Sequence, residues 1–349
     1  MPRTKIAVIF GGCSTEYEIS LQSAAAVIRS IDKQKYDLIQ LGITRSGEWY
    51  RYYGPACMID DDTWMQCGKC AKAMISPSRE VHGIVEFADE RILYERLDAA
   101  MPMLHGKNGE DGTIQGLLEL AGIPIIGCNT LCSAVCMDKD VAHRLIKQEG
   151  IAVARGFTVN KATEASIILA AAEEIGYPLF VKPARAGSSI GIAKVAEKSG
   201  LAQAITDALL HDNKVLIEEM ITGFEVGCAI LGNDVLTIGE VDEIELSTGF
   251  FDYAEKYMRK SSKIHMPARL SPTKAERIKD TAARIYRALG CSGFARVDLF
   301  FTPRGEIVFN EVNTIPGFTS HSRYPSMING AGLSFEQVVE SLIELAVKA

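Results

Sequence analysis

Gly293-Phe-Ala-Arg296-Val-Asp298 and Phe309-Asn-Glu311-Val-Asn313 are two short stretches near the end of this 349-residue chain. Each alternates apolar with polar residues, as a strand does when one of its faces is buried. Thr302-Pro-Arg-Gly305 lies between them and predicts a turn, because proline fixes φ and glycine permits a positive φ. The two stretches therefore predict a β-hairpin.

The polar residues of this hairpin predict a metal site. Side chains two apart share one face of a strand, so Arg296 lies beside Asp298 and Glu311 beside Asn313. A four-residue loop would place Asp298 opposite Phe309 and Arg296 opposite Glu311. Two carboxylates and an amide oxygen suit Mg²⁺, which commonly accompanies nucleotide phosphates. The alternative is a solvated polar face with an ion pair.

Composition and charge narrow the class of protein. Hydrophobic residues make up 47% and charged residues 23% of the chain, which is ordinary for a globular protein of two or three domains. The net charge of −7 argues against a nucleic-acid partner, which would need a basic face. Because the sequence has no run of 18 apolar residues, it predicts no membrane span. Residues 5–11 predict a buried first strand rather than a signal peptide.

The nine cysteines predict a reduced, cytoplasmic protein. Most of them lie in apolar stretches, as free thiols usually do. These are Cys128, Cys132, Cys136, Cys228 and Cys291. Cys67-Gly-Lys-Cys70, with Cys57 nearby, has a metal-like spacing. Without a second pair or a histidine it favours surface-loop thiols over a zinc site.

The order of predicted elements indicates a mixed α/β and α+β chain of three units, at residues 1–136, 137–221 and 222–349. The first unit begins with strand 6–10, helix 20–31 and strand 38–43, a pattern typical of a parallel sheet. Residues 45–91 predict an irregular stretch, since turn and polar residues are frequent there. Strand 99–104, a helix after Gly112 and strand 123–126 follow.

The second and third units predict further strands and helices. The second has helix 139–148, strand 156–159, helix 163–174, strands 179–183 and 192–195, helix 201–210 and strand 215–219. The third has strands 226–231 and 235–243, helix 272–289, the hairpin and helix 334–347.

A glycine- and serine-rich loop follows the predicted strand that ends at Lys182-Pro183. Glycines let backbone N–H groups approach phosphate oxygens, Ser188 and Ser189 add donors, and Lys182 adds positive charge. The spacing fits neither a P-loop nor a dinucleotide-binding turn. A phosphate-binding loop and an ordinary hairpin loop both remain open. Lys139, at a helix start, is a second candidate phosphate ligand, or else a solvated side chain.

Residues 218–225 follow an apolar strand with a short linker and an acid. The backbone around Glu218, Glu219 and Ile221 could bind adenine, and Glu225 could bind ribose hydroxyls. A domain hinge with exposed acids is the alternative.

Taken in chain order, these motifs resemble the ATP-grasp enzymes, with an N-terminal parallel α/β domain ahead of the ATP-grasp fold. Three further motifs make the chain similar to D-alanine–D-alanine ligases over essentially its whole length. They are Gly11-Gly-Cys-Ser-Thr-Glu16-Tyr-Glu-Ile-Ser20, His105-Gly-x-x-Gly-Glu-Asp-Gly112 and Asn313-Thr-Ile-Pro-Gly317-Phe-Thr-Ser.

The resemblance implies an activity and its cofactors. ATP would phosphorylate the carboxylate of a first D-amino acid, and a second amine would attack the resulting acyl phosphate. Two Mg²⁺ ions, which Mn²⁺ can replace, would lie on Asp298, Glu311 and Asn313, with Lys139 and Lys182 on the phosphoryl oxygens. The product would serve peptidoglycan synthesis in the bacterial cytoplasm, and the enzyme would be a homodimer.

The resemblance also implies roles at the substrates. Arg296 and the N–H of Gly317 would stabilise the tetrahedral oxyanion. Glu16 would bind the ammonium of the first D-amino acid and join Ser188 and Tyr257 in a chain that closes the site. His105 would lie near the carboxyl end of that substrate. Simpler roles are open: Glu16 and Ser20 as helix caps, His105 as a structural histidine, and Tyr257 as a packed loop aromatic.

Two segments would determine the second substrate. They are Thr248-Gly-Phe-Phe251-Asp-Tyr253-Ala-Glu-Lys256-Tyr257 and Ser320-His-Ser322-Arg323-Tyr324. Phe251 with Arg323 is similar to the vancomycin-resistance D-alanine–D-serine ligases of the VanC and VanG types, and the Lys-Tyr ending disfavours a lactate-using enzyme. Lys256, Ser322 and Arg323 would hold the carboxylate or hydroxyl of D-serine.

Three other functions remain as alternatives to D-alanine–D-serine ligation. An ordinary D-alanine–D-alanine ligase is the nearest. A non-catalytic ATP-binding regulator would be expected to lose Arg296, Asp298 or Glu311, and the chain keeps all three. An ATP-grasp ligase for other substrates has no reason to carry both N-terminal motifs.

Overall fold

The first sheet is built from the N-terminal third of the chain. The computed structural model describes residues 3–88, 91–246 and 262–348, and all elements named here lie in those ranges. The strands are β1 (Thr4–Gly11), β2 (Tyr36–Ile43), β3 (Trp49–Tyr52), β4 (Cys70–Ile75), β5 (Gly83–Ala88), β6 (Arg91–Arg96) and β7 (Ala99–Pro102). Their order in the sheet is β6-β5-β4-β3-β2-β1-β7.

Strand β1 lies in the interior of this sheet and is buried on both faces. It pairs in parallel with β2 and β7, and its apolar residues feed two separate cores. A continuous apolar run is what a strand covered on both faces requires. Helices α1 (Tyr17–Ser30) and α10 (Phe335–Val347) contribute to one core, and α3 (Thr113–Ala121) contributes to the other.

The prediction of an irregular stretch at residues 45–91 is wrong. It holds the antiparallel strands β3, β4 and β5, the short helix α2 (Ala56–Asp60) and a 3₁₀ turn at Trp64–Cys67. These strands have only four to six residues, and their side chains are largely half-exposed. A short, half-buried strand gives too little apolar periodicity to distinguish it from a polar loop.

The second sheet lies in the middle of the chain. Its antiparallel strands are β9 (Gly156–Val159), β10 (Leu179–Pro183), β11 (Ala193–Val195) and β12 (Val215–Glu219), in the order β11-β10-β12-β9. Helices α6 (Ala165–Ile175) and α7 (Leu201–Ala208) pack on one face, with a 3₁₀ turn at Lys198–Gly200. The phosphate-binding loop predicted at 184–191 therefore joins two neighbouring strands.

The third sheet has the order β15-β14-β13-β16-β17-β8. Its strands are β8 (Ala152–Val153), β13 (Phe224–Gly232), β14 (Leu236–Leu246), β15 (Ser262–His265), β16 (Phe294–Phe301) and β17 (Ile307–Asn313). Helices α4 (Thr130–Met137), α5 (Lys139–Gln148) and α8 (Pro272–Ala288) pack on it, with α9 (Arg323–Gly330) against β13 and β14.

The hairpin β16–β17 is present, but the predicted cross-strand pairs are wrong. Asp298 faces Glu311, and Arg296 faces Asn313. The loop is one residue longer than expected, so Phe301 pairs with Ile307, and a β-bulge beside Asp298 shifts the register once more. The two shifts add up to two residues, which keeps all four polar side chains on one face.

Besides α2, the helices α4 and α9 have no counterpart among the predicted elements. Conversely, the strand predicted at 123–126 is reduced to a single bridge between Ala100 and Ile125. Helices α4 and α9 have only eight residues each, and α9 contains Pro325. Segments this short are held by tertiary packing rather than by their own propensity.

Candidate active site

A cavity of about 380 Å³ lies between the second and third sheets. We call it the nucleotide cavity, after the residues predicted to bind ATP. Apolar side chains from both sheets, including Phe180, Phe224 and Phe300, form its walls. The predicted metal ligand Glu311 lines it, and so does every residue predicted to bind ATP: Lys139, Lys182, Ser188, Ser189, Glu218, Glu219, Ile221 and Glu225. The fold thus gathers into one cavity residues that are more than 170 positions apart.

Two buried lysines point into this cavity. Lys139 begins α5, and its Nζ lies 3.1 Å from Glu311 Oε2 and 2.9 Å from the carbonyl of Ala186. Lys182 ends β10, and its Nζ pairs with Glu218 Oε1. Both lysines are less than a tenth exposed, so Lys139 is not the solvated side chain of the simpler alternative. Each lysine has an acid partner that an anionic ligand would compete with.

The glycine- and serine-rich loop closes one end of the cavity. Ser188 and Ser189 have φ values of 53° and 57°, a left-handed conformation that is uncommon for residues other than glycine. The Ser188 hydroxyl donates a hydrogen bond to Glu16 Oε1, 172 residues earlier in the chain. At Gly187 an added Cβ would stand 2.8 Å from Glu16 Oε2, so a larger residue would displace the Glu16 carboxylate.

The polar face of hairpin β16–β17 borders this cavity through Glu311. Asp298 accepts two hydrogen bonds from Arg296, at 2.8 and 2.7 Å, and one from Asn313 Nδ2 at 2.8 Å. Asp298 faces Glu311 across the ladder, and Glu311 faces the nucleotide cavity beside Lys139.

These residues fit a nucleotide with its metal ion. Asp298, Glu311 and Asn313 are oxygen donors on one face, and the lysines supply charge for phosphate oxygens. Among the described side chains, Glu218 Oε2 is a buried oxygen without a hydrogen-bond partner. An orphaned oxygen in a cavity wall is the kind of group that a bound ligand satisfies.

The acids of residues 218–225 have separate partners. Glu219 binds Arg155 on its outer side, with Oε2 2.9 Å from Arg155 Nε. Glu225 lines the nucleotide cavity but also accepts a hydrogen bond from Arg323 Nη1 at 3.1 Å. Glu225 therefore lies between this cavity and a second one, which Arg323 lines and which we call the substrate cavity.

A second cavity, of about 330 Å³, lies between the first and third sheets. It is lined by Glu16, which is predicted to bind the first substrate, by five further residues predicted at the substrates or the oxyanion, and by the predicted metal ligand Asn313. The five are His105, Arg296, Gly317, Ser322 and Arg323.

Glu16 lies just before α1 but does not cap it, because its side chain makes no hydrogen bond to the helix N-terminus. A Cβ at Gly106 would collide with Glu16 Oε2, as one at Gly187 would approach it closely. Two loops from different sheets thus converge on this buried carboxylate. Ser20 is structural: its hydroxyl accepts from Gly11 N at 2.8 Å and donates to the Met103 carbonyl.

His105 is fully buried, and both of its ring nitrogens have protein partners. Nδ1 donates to the Ile315 carbonyl at 2.7 Å, and Nε2 accepts from the Ser23 hydroxyl at 3.0 Å. Burial lowers the pKa of His105, which keeps the ring neutral. The same Ser23 oxygen accepts from Phe318 N. His105 therefore holds the loop at residues 314–318 in addition to lining the cavity.

Arg323 is clamped by acids at the end of the substrate cavity. Its Nε and Nη2 donate to the two oxygens of Asp242 at 2.7 and 2.8 Å, and Nη1 donates to Glu225. Nη2 also lies 3.5 Å from Asp298 Oδ1. The bidentate bond fixes the guanidinium plane. Ser322 beside it accepts from Thr319 N at 3.0 Å.

Three predicted residues, Phe251, Lys256 and Tyr257, lie outside the described residues. The structure instead adds four residues that the sequence did not single out for the site: Ser23, Glu110, His143 and Asp242. Glu110 joins the two substrate loops by accepting from Gly106 N and Ile315 N. An acid inside the buried strand β14 was the available signal for Asp242, but its partner Arg323 is 81 residues away.

His143 supports the bulge of hairpin β16–β17. Its Nε2 donates to the Asn310 carbonyl at 2.7 Å, and its ring meets Phe309 edge-on at 5.4 Å. Asn310 is the extra residue of the bulge, next to Glu311. Helix α5 therefore supplies both Lys139, which contacts Glu311, and His143, one turn later, which fixes the backbone beside it.

Comparison with known proteins identifies this arrangement. Residues 5–128 match the family model described as the D-ala D-ala ligase N-terminus, and residues 145–344 match the D-ala D-ala ligase C-terminus. The chain belongs to the D-alanine–D-alanine ligase family. The predicted resemblance is thereby confirmed.

Individual relatives include both ordinary and resistance ligases. The chain is 44% identical to the D-alanine–D-alanine ligase of Caldicellulosiruptor bescii, over 100% of this chain and 96% of that protein. It is 45% identical to the vancomycin C-type resistance protein VanC1 of Enterococcus gallinarum, over 98% of both chains. The crystal structure of the VanG D-Ala:D-Ser ligase from Enterococcus faecalis matches with a TM-score of 0.93 and 56% identity, over 99% of this chain and 100% of that one.

These matches confirm the mixed α/β fold of the ATP-grasp type. This member of the D-alanine–D-alanine ligase family is an ATP-dependent enzyme that joins D-amino acids through a peptide bond, in a family that generally needs metal ions. Within the described ranges, no helix is both long and apolar enough to cross a bilayer.

Proposed function

We propose that this enzyme joins D-alanine to D-serine, as a ligase of the vancomycin-resistance type that supplies peptidoglycan precursors in the cytoplasm. The observation that carries this proposal is Arg323, held at the end of the substrate cavity by Asp242 and Glu225. A fixed, polar cavity end can hydrogen-bond a hydroxymethyl group that an apolar one would leave unpaired. The similarity to the VanG D-Ala:D-Ser ligase supports the same substrate.

The proposed reaction has two steps, phosphorylation of D-alanine and attack by the second amine. A carboxylate oxygen of D-alanine attacks the γ-phosphorus of ATP, and ADP leaves. The ammonium group of the second D-amino acid loses one proton to solvent, the resulting amine attacks the acyl carbon, and inorganic phosphate leaves with the second proton. Two Mg²⁺ ions, or Mn²⁺ in their place, would lie on Asp298, Glu311 and Asn313 and supply charge neutralisation for phosphoryl transfer.

The protein's own residues would position and stabilise the reacting groups. Glu16 is a buried carboxylate where two loops converge, which suits the ammonium of the first D-alanine. Ser188 would hydrogen-bond Glu16 when the glycine- and serine-rich loop closes, and Tyr257 would extend this hydrogen-bonded chain. Arg296 and Gly317 N–H would bind the oxyanion, since both line the substrate cavity. A homodimer remains a proposal from the family resemblance.

Phe251 would make room for the hydroxymethyl group of D-serine, with Lys256 and Ser322 near its carboxylate. A pocket that only accommodates a hydroxyl group discriminates weakly, so some D-alanyl-D-alanine is expected as well.

The test is ADP release by the purified enzyme with Mg-ATP and D-alanine, with and without equimolar D-serine, and product identification by mass. A dominant D-alanyl-D-serine product supports the proposal. A dominant D-alanyl-D-alanine product would make the enzyme an ordinary D-alanine–D-alanine ligase, the function of its relative from C. bescii. The Phe251→Tyr variant should shift the product ratio toward D-alanyl-D-alanine, by about tenfold. Phe250→Tyr is the matched control, and an equal shift in both variants would remove Phe251 from the argument.

A further inference from the structure

Four thiols meet in the core between helix α4 and the segment that follows helix α8. Cys132 Sγ lies 3.5 Å from Cys291 Sγ and 3.8 Å from Cys136 Sγ. The sulfurs of Cys128, Cys132 and Cys291 all lie within 4.8 Å of one another. Among the described residues, this is a group of potential metal ligands outside the active site, and we call it the thiol cluster.

The fold assembles the thiol cluster from two distant parts of the chain. Cys132 and Cys136 are four residues apart, so they share one face of α4. Cys128 comes directly before Asn129, which caps α4 by accepting from Cys132 N at 2.9 Å. Cys291 lies between α8 and β16. Three of the four are at most 3% exposed, and none forms a disulfide.

The sulfur separations agree with the dimensions of a tetrahedral thiolate site. A Zn–S bond of about 2.3 Å places the sulfurs of such a site roughly 3.8 Å apart. The separations of 3.5 and 3.8 Å at Cys132 are close to that value. A disulfide would instead need two sulfurs to approach to about 2.05 Å. Cys128, Cys132 and Cys291 are thus spaced for a shared ligand.

Cys132 also lies in the first turn of α4, where the helix dipole would stabilise a metal-bound thiolate. Thiolate ligands are the ones that soft cations prefer.

We propose that the thiol cluster is a structural site for a soft d¹⁰ cation of the zinc class, separate from the magnesium-binding hairpin. Binding would form metal–sulfur bonds to Cys128, Cys132 and Cys291 and release their thiol protons to solvent, with Cys136 beside Cys132. The ion would tie α4 to the segment between α8 and β16. Because Asp138 and Lys139 directly follow α4, the ion would also stabilise the position from which Lys139 enters the nucleotide cavity.

Cobalt(II) titration of the full-length protein tests this proposal. The protein is purified under reducing conditions, treated with a chelator, and titrated with Co²⁺ and then Zn²⁺. One equivalent of Co²⁺ per chain should produce thiolate-to-cobalt charge-transfer absorption and tetrahedral d–d bands, and Zn²⁺ should displace it. Absence of these bands at stoichiometric cobalt would overturn the proposal. So would a disulfide within the cluster, found by mass in the protein as purified under reducing conditions.

Variants assign the site to the cluster. Cys132→Ser should weaken Zn²⁺ binding by about 100-fold, and Cys291→Ser should do the same. Cys228→Ala is the control for a buried thiol outside the cluster, and Cys67→Ser is the control for the Cys-x-x-Cys spacing. Loss of binding in Cys67→Ser but not in Cys132→Ser would refute the assignment. If the cluster variants do not fold, a Zn²⁺-dependent rise in the denaturation midpoint of the unsubstituted protein decides the question, and no rise refutes it.

Discussion

The nucleotide cavity and the substrate cavity handle positive charge in different ways. In the first, Lys139 and Lys182 each meet a glutamate through a single ammonium group. In the second, Arg296 and Arg323 are each held by a carboxylate through two parallel hydrogen bonds. An ammonium can exchange its partner for a phosphate oxygen, whereas a bidentate guanidinium is fixed in position. The difference fits adaptable charge at the proposed phosphate site and fixed shape at the proposed site of the second substrate.

Substitution of Glu311 should have the largest effect on activity, because Glu311 is a predicted ligand of the metal ions that neutralise the transferred phosphoryl group. It acts on the nucleotide side alone. Glu311→Ala removes the acid that faces Asp298 and contacts Lys139. We expect ADP release to fall by about 10²–10³-fold or more, and equally with D-serine or D-alanine as the second substrate. Steady-state ADP release measures this. The control is Glu306→Ala, an exposed acid in the loop of the same hairpin. Retained turnover in Glu311→Ala would overturn the metal assignment.

Loss of Asp242 should act on the substrate side, first through stability. Asp242→Ala would leave the buried Arg323 without its bidentate partner, which should lower the free energy of unfolding by about 3–5 kcal/mol. Chemical denaturation measures this change. Glu245→Ala, an exposed acid on the same strand, should change stability far less.

A double substitution separates charge from packing at this position. Asp242→Ala combined with Arg323→Met removes both charges, so it should recover part of the stability that Asp242→Ala loses. No recovery would show that Asp242 acts through its bond from Gly227 N rather than through Arg323.

A smaller effect is expected at His143, which acts on the nucleotide side through the backbone. His143→Ala removes the donor to the Asn310 carbonyl and should loosen the bulge beside Glu311. We expect the Mg²⁺ concentration for half-maximal activity to rise by about tenfold, with a smaller change in kcat at saturating Mg²⁺. His143→Gln should restore part of the effect, and the exposed Lys147→Ala should have none. An equal fall of kcat at every Mg²⁺ concentration would contradict this positioning role.

The same contrast explains what the sequence could predict. The nucleotide cavity depends on local motifs, such as Lys182 with its glycine loop and the alternating hairpin, each of which can be recognised in one continuous stretch of sequence. The clamp on Arg323 depends on Asp242 and Glu225, residues 81 and 98 positions away, and no local pattern joins them. The prediction of the hairpin register was wrong in part for a related reason. The bulge residue Asn310 is held by His143, which belongs to another element.

The smallest expected effect is a pH dependence of stability that originates at His105. Burial lowers the pKa of this ring in the folded state, whereas an unfolded histidine titrates at about 6.5. Below that pH the unfolded chain binds a proton that the folded protein does not, so the free energy of unfolding falls as the pH falls. The stability is complete above about pH 6.5, and one such group contributes a slope of at most about 1.4 kcal/mol per pH unit below it.

Denaturation at pH 8.0 and pH 5.5 separates this titration from the packing of the ring. His105→Gln should show a smaller loss of stability on acidification than the unsubstituted enzyme, whatever its stability at pH 8.0. Ser23→Ala removes the hydroxyl that donates to Nε2 but keeps the imidazole, so it should retain the pH-dependent loss. If His105→Gln and the unsubstituted enzyme lose the same amount, the buried ring does not contribute to the pH dependence.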